Sequence, residues 1–575
     1  MWLKDNNPLP NLAEFKKAYI SLSINLKFFV IMCLLIGTTA GLASLWFINQ
    51  NLLVIVKSSD GEITEGIVGT PRFGNPLLAT SDADRDIVNL VYSGLMRQTS
   101  SGDLIPDLAT KVETSTDGKK YTFYLKPNLV WHDGKPLTTK DIQFTINKVK
   151  DPTIKSARRP RWEGVTTEIL DDKTIVFHLE QPFAGFLKNT TIGILPAHLW
   201  SDIPNDEFSL TDLNTKPVGS GPYEIEKIKK DASSIAEYYL LKPFDRFALG
   251  APKVTINLKL YPNETSRLEA FASGDIDTLS AISPENLQMV STKNHTVITS
   301  PMPRVFGIFF NQNQSTVLAK PEVRQALDIS LDKQKIIDKV LFGYGTPIDG
   351  PTIFDTLNTT EQNGIEKAQT ILEKAGWKKN EAGFYEKTIS KTTTLLEFSL
   401  TTSDTPELKK VAEETRNTWT KLGAKVDLKV FESGTLDQTV IRPRKYDALL
   451  FGQVTGRNID LYSFWHSSQR LNPGLNIAMY ANLKVDKLLE EIRNLNDIKT
   501  LQSKNESARE LIKDDYPAIF LYTPKFIYII PDKIKDINFG IIEQPSDRFS
   551  DMYKAYIETE KVWKFFANQN NIINQ

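Results

Sequence analysis

Residues 28–56 contain no Asp, Glu, Lys or Arg, and the densest part of this run reads FFVIMCLLIGTTAGLASLWFI. At about 1.5 Å per residue, about 20 such residues in a helix span the ~30 Å hydrocarbon core of a bilayer. The leading flank carries Lys4, Lys16, Lys17 and Lys27 against Asp5 and Glu14, whereas Asp60, Glu62 and Glu65 follow Lys57. Lysine-rich flanks stay on the cytoplasmic side. The expected order is therefore a cytoplasmic tail (1–27), a transmembrane signal anchor (28–48), a short linker (49–65) and an extracytoplasmic remainder. A buried core helix and a cleaved signal peptide are the rival readings, the latter with its site near Gly41-Leu42-Ala43. Against cleavage, the apolar run continues past that site through residues 45–48 and 52–56. Cys33, the one cysteine, follows Val30-Ile31-Met32, which lacks the small residues of a lipidation motif.

The chain as a whole has globular composition, with 41% hydrophobic and 24% charged residues, so a large core is expected and global disorder is not. Its 575 residues suffice for about three or four compact units. Lys+Arg 69 against Asp+Glu 70 leaves no basic excess to neutralise phosphates, so no nucleic-acid partner is expected. With its only cysteine in the anchor, the remainder can form neither a disulfide nor a thiolate metal site.

Strand and helix patterns mix throughout. Tyr121, Phe123 and Leu125 alternate, as do Ile175, Phe177 and Leu179, and both sets predict half-buried strands. Between them Thr138-Thr139-Lys140-Asp141 resembles a capping box opening a helix with Ile142, Ile146 and Val149 on one face. Ile365, Ala368, Leu372 and Ala375 mark a helix ended by Gly376. Leu408, Val411, Ala412, Thr415, Trp419 and Leu422 mark another, stopped by Gly423 and flanked by β-rich stretches at 393–402 and 426–430. Strand, helix and strand at this spacing predict a βαβ unit with parallel strands.

Catalytic signatures are missing from this pattern, and no enzyme activity is expected. His132, His178, His198, His295 and His466 are scattered without metal-ligand spacing, so neither metal nor cofactor is expected. Gly219-Ser220-Gly221 precedes Pro222-Tyr223 rather than a helix with a lysine, which reads as a tight turn entering a strand. Asp171-Asp172 and Asp514-Asp515 sit at turns and element ends, where carboxylates cap or face water. Aromatic clusters at 306–310 and at Phe464-Trp465 are able to line an apolar cleft, and core packing explains them equally well.

A series of ordered blocks resembles the family 5 extracellular solute-binding proteins of ABC importers, which include peptide- and nickel-binding members. The blocks run from about residue 67 to 530: Gly69-Thr70-Pro71, Val91-Tyr92-Ser93-Gly94-Leu95, Pro106-Asp107-Leu108-Ala109, Pro217-Val218-Gly219-Ser220-Gly221-Pro222-Tyr223, Gly274-Asp275-Ile276-Asp277, Val323-Arg324-Gln325-Ala326-Leu327 and Leu372-Glu373-Lys374-Ala375-Gly376-Trp377. The most specific is Trp131-His132-Asp133-Gly134-Lys135-Pro136-Leu137-Thr138-Thr139-Lys140-Asp141-Ile142, whose own chemistry suits a β-turn with Gly134 at positive φ. The resemblance implies a two-lobed, type II periplasmic-binding-protein-like α/β fold with an extra domain. One lobe would combine 57–100, 210–303 and 509–575, with the extra domain at 101–209 and the second lobe at 304–508. It also implies a small peptide or similar solute as ligand and ABC permease subunits as partners. Another solute, a nickel chelate or a sugar, stands as the alternative.

Peptide binders of this family offer the peptide amine a second-lobe carboxylate shortly after a Gly-Trp pair. Here the equivalent stretch, 451–460, reads FGQVTGRNID, with Gln453 in place of the tryptophan and Gly456 at the carboxylate position. Asp460 is the nearest substitute. The expected ligand contacts are therefore Asp460, Gln453 and Thr455, with Trp465 as an apolar wall and Phe309 and Asn311 from the facing aromatic stretch. A competing reading makes Asp460 the cap of a helix beginning near Leu461.

Overall fold

The computed structural model describes residues 12–57, 61–183, 185–233, 235–357, 363–389, 392–457, 460–493, 497–557 and 559–565. Parts of the expected tail (1–11) and linker (58–60), and Asn458 and Ile459 of the candidate site, lie outside the described residues. The chain divides into two compact units, residues 1–59 with 556–575, and residues 60–555.

In the first unit, residues 24–52 form one continuous helix, of which Ile24–Ile48 is long and apolar enough to cross a membrane. Its apolar side chains are exposed along its length, Phe28 at 69% and Leu42 at 67%, so no protein core covers it. That excludes the buried-core-helix reading and leaves a membrane anchor or a signal segment. The expected linker is more ordered than its composition suggested. Helix continues to Leu52, and the β-branched run of Leu53–Lys57 pairs antiparallel with Thr559–Trp563 near the other end of the chain. Lys57 lies 4.7 Å over the Tyr556 ring beside this ribbon.

The second unit is built on a twelve-stranded mixed sheet. The predicted βαβ unit is present: Glu397–Ser403 and Lys425–Phe431 run parallel, joined by the helix Pro406–Leu422. All six residues expected on its core face are buried, and Gly423 ends it at φ 116, where a Cβ would be strained. The Thr138 capping box is formed as expected, with Asp141 also accepting from the Ala197 amide at 2.9 Å. The strands Lys120–Leu125 and Thr174–Leu179 pair with Tyr121 opposite Phe177, in a four-stranded sheet within the span assigned to the extra domain.

One 14-residue strand, Ala518–Pro531, is common to both halves of the large sheet. Its first half pairs with Arg304–Phe310 and its second half with Thr278–Ser280 and His295–Pro301. The Gly219-Ser220-Gly221 turn lies directly against the end of the helix Asp82–Val91. A Cβ on Gly219 would sit 1.9 Å from the Val91 carbonyl oxygen, so close backbone approach requires glycine there. The predicted Gly134 turn is present at φ 83, and His132 behind it is tied to the Gly221 carbonyl at 3.1 Å. Burial pushes that imidazole down to about 4, which keeps it neutral and structural.

Four of these elements meet at Arg548. Its Nε donates to Glu65 at 3.0 Å, and its two Nη groups grip Asp86 at 2.8 and 2.7 Å. Glu65 also accepts from the Tyr528 hydroxyl of the shared strand at 2.6 Å. The Arg548 and Glu65 side chains are each 1% exposed. Burial works against the guanidinium, but the two carboxylates raise its pKa above the ordinary arginine value. Removing it strands two buried carboxylates, so Arg548→Met is expected to cost about 3–5 kcal/mol of unfolding free energy in denaturant titrations of the solubilised chain. A cost below about 1 kcal/mol would mean that the cluster does not hold these elements together.

Candidate functional site

The strand Ala448–Val454 runs antiparallel to Arg304–Phe310, placing Gln453 opposite Val305 and Leu449 opposite Phe309. The six expected contact residues all fall near this pair or the helix Leu461–Trp465. Phe309 and Trp465 are 0% and 1% exposed, 6.3 Å apart ring to ring, with Trp465 also edge-on to Phe520 at 5.6 Å. They pack an apolar core rather than line a wall. Asn311 is buried and donates to the Arg444 carbonyl at 2.9 Å, fixing a turn. Gln453 is buried with its amide on the Leu475 carbonyl at 3.1 Å, and Thr455 donates to the Pro303 carbonyl at 3.1 Å.

Asp460 stands at the start of the helix Leu461–Trp465, but its side chain accepts no backbone N–H there. It accepts instead from the Ser463 hydroxyl at 2.5 Å and lies 3.5 Å from Arg493, with both side chains of the ion pair 51% exposed. Arg493 in turn covers the Tyr462 ring at 3.6 Å. Asp460 is thus paired with the chain's own cation, and water screens both charges. Asp460→Asn is accordingly expected to change the calorimetric affinity for free-amine peptides by less than about threefold, which is less than about 0.7 kcal/mol. A tenfold loss confined to free-amine peptides, with N-acetylated ones unaffected, would make Asp460 the amine acceptor after all.

The group that reaches furthest is Arg457, whose role the sequence reading missed. Gly456 adopts φ 71, and the next residue sends its side chain across to a different part of the unit. Arg457 Nη1 donates to the Thr99 carbonyl at 3.1 Å and Nη2 to the Ile541 carbonyl, with Asp547 at 3.5 Å. Its backbone N–H donates to Glu543 at 2.8 Å, and Lys188 pairs with the same carboxylate at 3.0 Å. Burial opposes ionisation of Glu543, but the Arg457 amide and the Lys188 charge hold it below the usual glutamate range. At Asp547 burial wins and raises the carboxyl, although Arg457 opposes the rise. Both acids sit on the turn around Pro545–Phe549, where Asp547 accepts from the Glu543 and Gln544 amides at 2.8 and 3.1 Å. A lone arginine after Gly456 is visible in the sequence, but nothing there points to partners 84 to 358 residues away.

Glu543 and Asp547 also line a cavity of about 250 Å³. The helix Asp82–Val91, the segment around the 3-10 turn Arg159–Trp162, and residues 188–193 contribute the rest of its lining. Five basic and three acidic side chains line it, and none of the six expected contact residues does. Among the described residues no group of three His, Cys, Asp or Glu side chains is gathered as for a metal ion. The arrangement offers fixed charges and hydrogen-bond groups around a partly open cavity, suited to holding a polar solute.

A family model described as bacterial extracellular solute-binding proteins, family 5 middle, matches residues 103–472. The oligopeptide-binding protein AppA of Bacillus subtilis is 26% identical over 490 residues, covering 83% of this chain and 88% of its own. Its solved structure in complex with a nonapeptide superposes with a TM-score of 0.60 at 25% identity, covering 87% of this chain and 100% of that one. The ABC transporter substrate-binding protein CtaP of Listeria monocytogenes gives 0.70 at 25% identity over 87% of this chain and 99% of its own. NikZ of Campylobacter jejuni, solved with Ni(L-His), gives 0.64 at 25% identity over 86% and 99%.

Proposed function

We propose that this chain, which belongs to the family 5 bacterial extracellular solute-binding proteins, is the membrane-tethered receptor of an ABC importer, capturing oligopeptides and handing them to a permease. The family is one of binding proteins rather than enzymes, and the fold is the two-lobed type II periplasmic-binding-protein-like arrangement of α/β units.

Arg457 is the observation that carries the reading. It belongs to the span assigned to the second lobe (304–508), while Thr99, Ile541, Glu543 and Asp547 belong to the spans assigned to the first (57–100, 210–303 and 509–575). Lys188, Arg158 and Arg161 come from the span assigned to the extra domain (101–209). A contact between discontinuous segments, made only when they approach, is what a hinge needs to have two discrete states. Ligand that touches both sides then favours the closed state by its differential affinity. The closed cavity sequesters solute with no covalent step.

Peptide as the solute rests on the likeness to AppA, and a metal chelate is the second reading, favoured by the likeness to NikZ. Native mass spectrometry of the detergent-solubilised full chain separates them. Short peptides are expected to co-purify and to leave on mild unfolding. A nickel-containing adduct, with no peptide, would replace the peptide reading by the chelate one.

The helix Ile24–Leu52 and its lysine-rich leading flank support a tether with the N-terminus in the cytoplasm and the remainder outside. Protease added to intact spheroplasts is expected to digest the chain from Lys57 onward and to spare the tail. A mature N-terminus near Ser44 would convert the anchor into a cleaved signal, and a fully protected chain would reverse the topology.

A further inference from the structure

The strand Thr559–Trp563 returns the chain to the end of the helix Ile24–Leu52. It runs antiparallel to Leu53–Lys57, with Trp563 opposite Leu53 and Lys561 opposite Ile55. The Lys564 amide then donates to the Leu52 carbonyl at 2.8 Å, which brings the turn at 564–565 to the helix end. All of these residues belong to the first compact unit. The sequence here reads KVWKFF over 561–566. Trp563 is 46% and Phe565 75% exposed, and Lys561 and Lys564 are exposed beside them. Directly opposite residues of a strand pair share a face. Lys561 and Trp563 therefore stand on one face with Leu53 and Ile55, and the other face carries Val54, Val56 and Val562. Val56 is buried, so the inner side of the ribbon is its valine side and the tryptophan and lysine stand outside.

The helix sets the depth of this end. With Ile24–Ile48 across a bilayer, the hydrocarbon boundary falls near Ile48, where the apolar run gives way to Asn49-Gln50-Asn51. Leu52 is about 6 Å further along the helix. The headgroup layer on each face of a bilayer is about 5–8 Å thick. Trp563 and Phe565 come back to the helix at that level, the depth that aromatic side chains favour in membrane proteins. Over residues 53–57 and 559–565, Lys57, Lys561 and Lys564 stand against Glu560. The excess positive charge suits anionic lipid, and long lysine stems let the ammonium groups stay in water while the rings go deeper.

We propose that residues 561–565 are a second membrane-binding element, in which Trp563 and Phe565 enter the outer headgroup layer and Lys561 and Lys564 meet anionic headgroups. The inference rests on the tether reading of the helix. The bilayer is the occupant because this surface is continuous with the helix end that emerges from it, where Trp46 and Phe47 are 64% and 63% exposed. The chain is then held to its membrane at two points, one near each end of the sequence. The residues after the helix form a braced stalk rather than a loose linker.

Fluorescence quenching tests this on the full chain in nanodiscs of mixed phosphatidylcholine and phosphatidylglycerol. In a Cys33→Ser background, single NBD labels are placed through Phe565→Cys, Thr559→Cys or Leu42→Cys. The quenchers are lipids carrying a nitroxide either just below the headgroup or deep in the acyl chain. The label at 565 is expected to be quenched by the shallow nitroxide. The label at 559, about 13 Å further along the ribbon, is expected to escape it, and the label at 42 to be quenched by the deep one. If 565 is quenched no more than 559 while 42 is quenched, the second contact is overturned and the tether stands. If 565 is quenched and 42 is not, the ribbon binds the bilayer without a crossing helix, and the tether reading falls alone. If neither is quenched, both fall. Lys561→Gln with Lys564→Gln is expected to reduce quenching at 565 to the level found in pure phosphatidylcholine. Equal quenching in both lipids, with and without those lysines, would remove the anionic headgroups from the proposal.

Discussion

Arg548 is the point on which the larger unit turns. A buried guanidinium between two carboxylates is tolerated only if every strong donor and acceptor is met, and here Glu65, Asp86, Tyr528 and the Pro545 carbonyl meet them. The partners lie on a sheet strand, a helix, the shared strand and the turn that carries Arg548 itself. That turn is the one bearing Glu543 and Asp547. The cluster therefore fixes the turn that carries the acidic lining residues against the helix Asp82–Val91, which also lines the cavity.

The acidic wall serves two purposes at once. It seats Arg457, and it lines the cavity. Arg457, directly after Gly456, is a buried cation held by the carboxylates of that turn. Desolvating an arginine is worthwhile only against preorganised acceptors, and the Asp547 carboxylate is held by the Glu543 and Gln544 amides of its own turn independently of Arg457.

What the sequence showed well follows from local physics. The helix Pro406–Leu422 announces itself because 3.6-residue periodicity, a terminal glycine and flanking alternating strands depend only on neighbours a few positions apart. The Thr138 capping box and the Gly134 turn were legible for the same reason. Phe309 and Trp465 show where the approach fails. An aromatic in a cleft and an aromatic in a core have the same letters around them, and only burial among Phe520 and Tyr480 tells them apart. The linker reading failed similarly, because Leu53–Lys57 becomes a strand through a partner some five hundred residues away.

By itself, then, the sequence determined the apolar helix at the N-terminus, the α/β class, the βαβ unit and the family, since each is written in short-range periodicity or in ordered blocks of residues. The tertiary structure alone decided where charge meets charge. Arg457 finds Glu543, and Arg548 finds Glu65 and Asp86, across separations that no local pattern spans. Burial decides the worth of each such meeting, because the same ionic groups interact weakly in water and strongly where water is excluded, and burial exists only once the chain has folded.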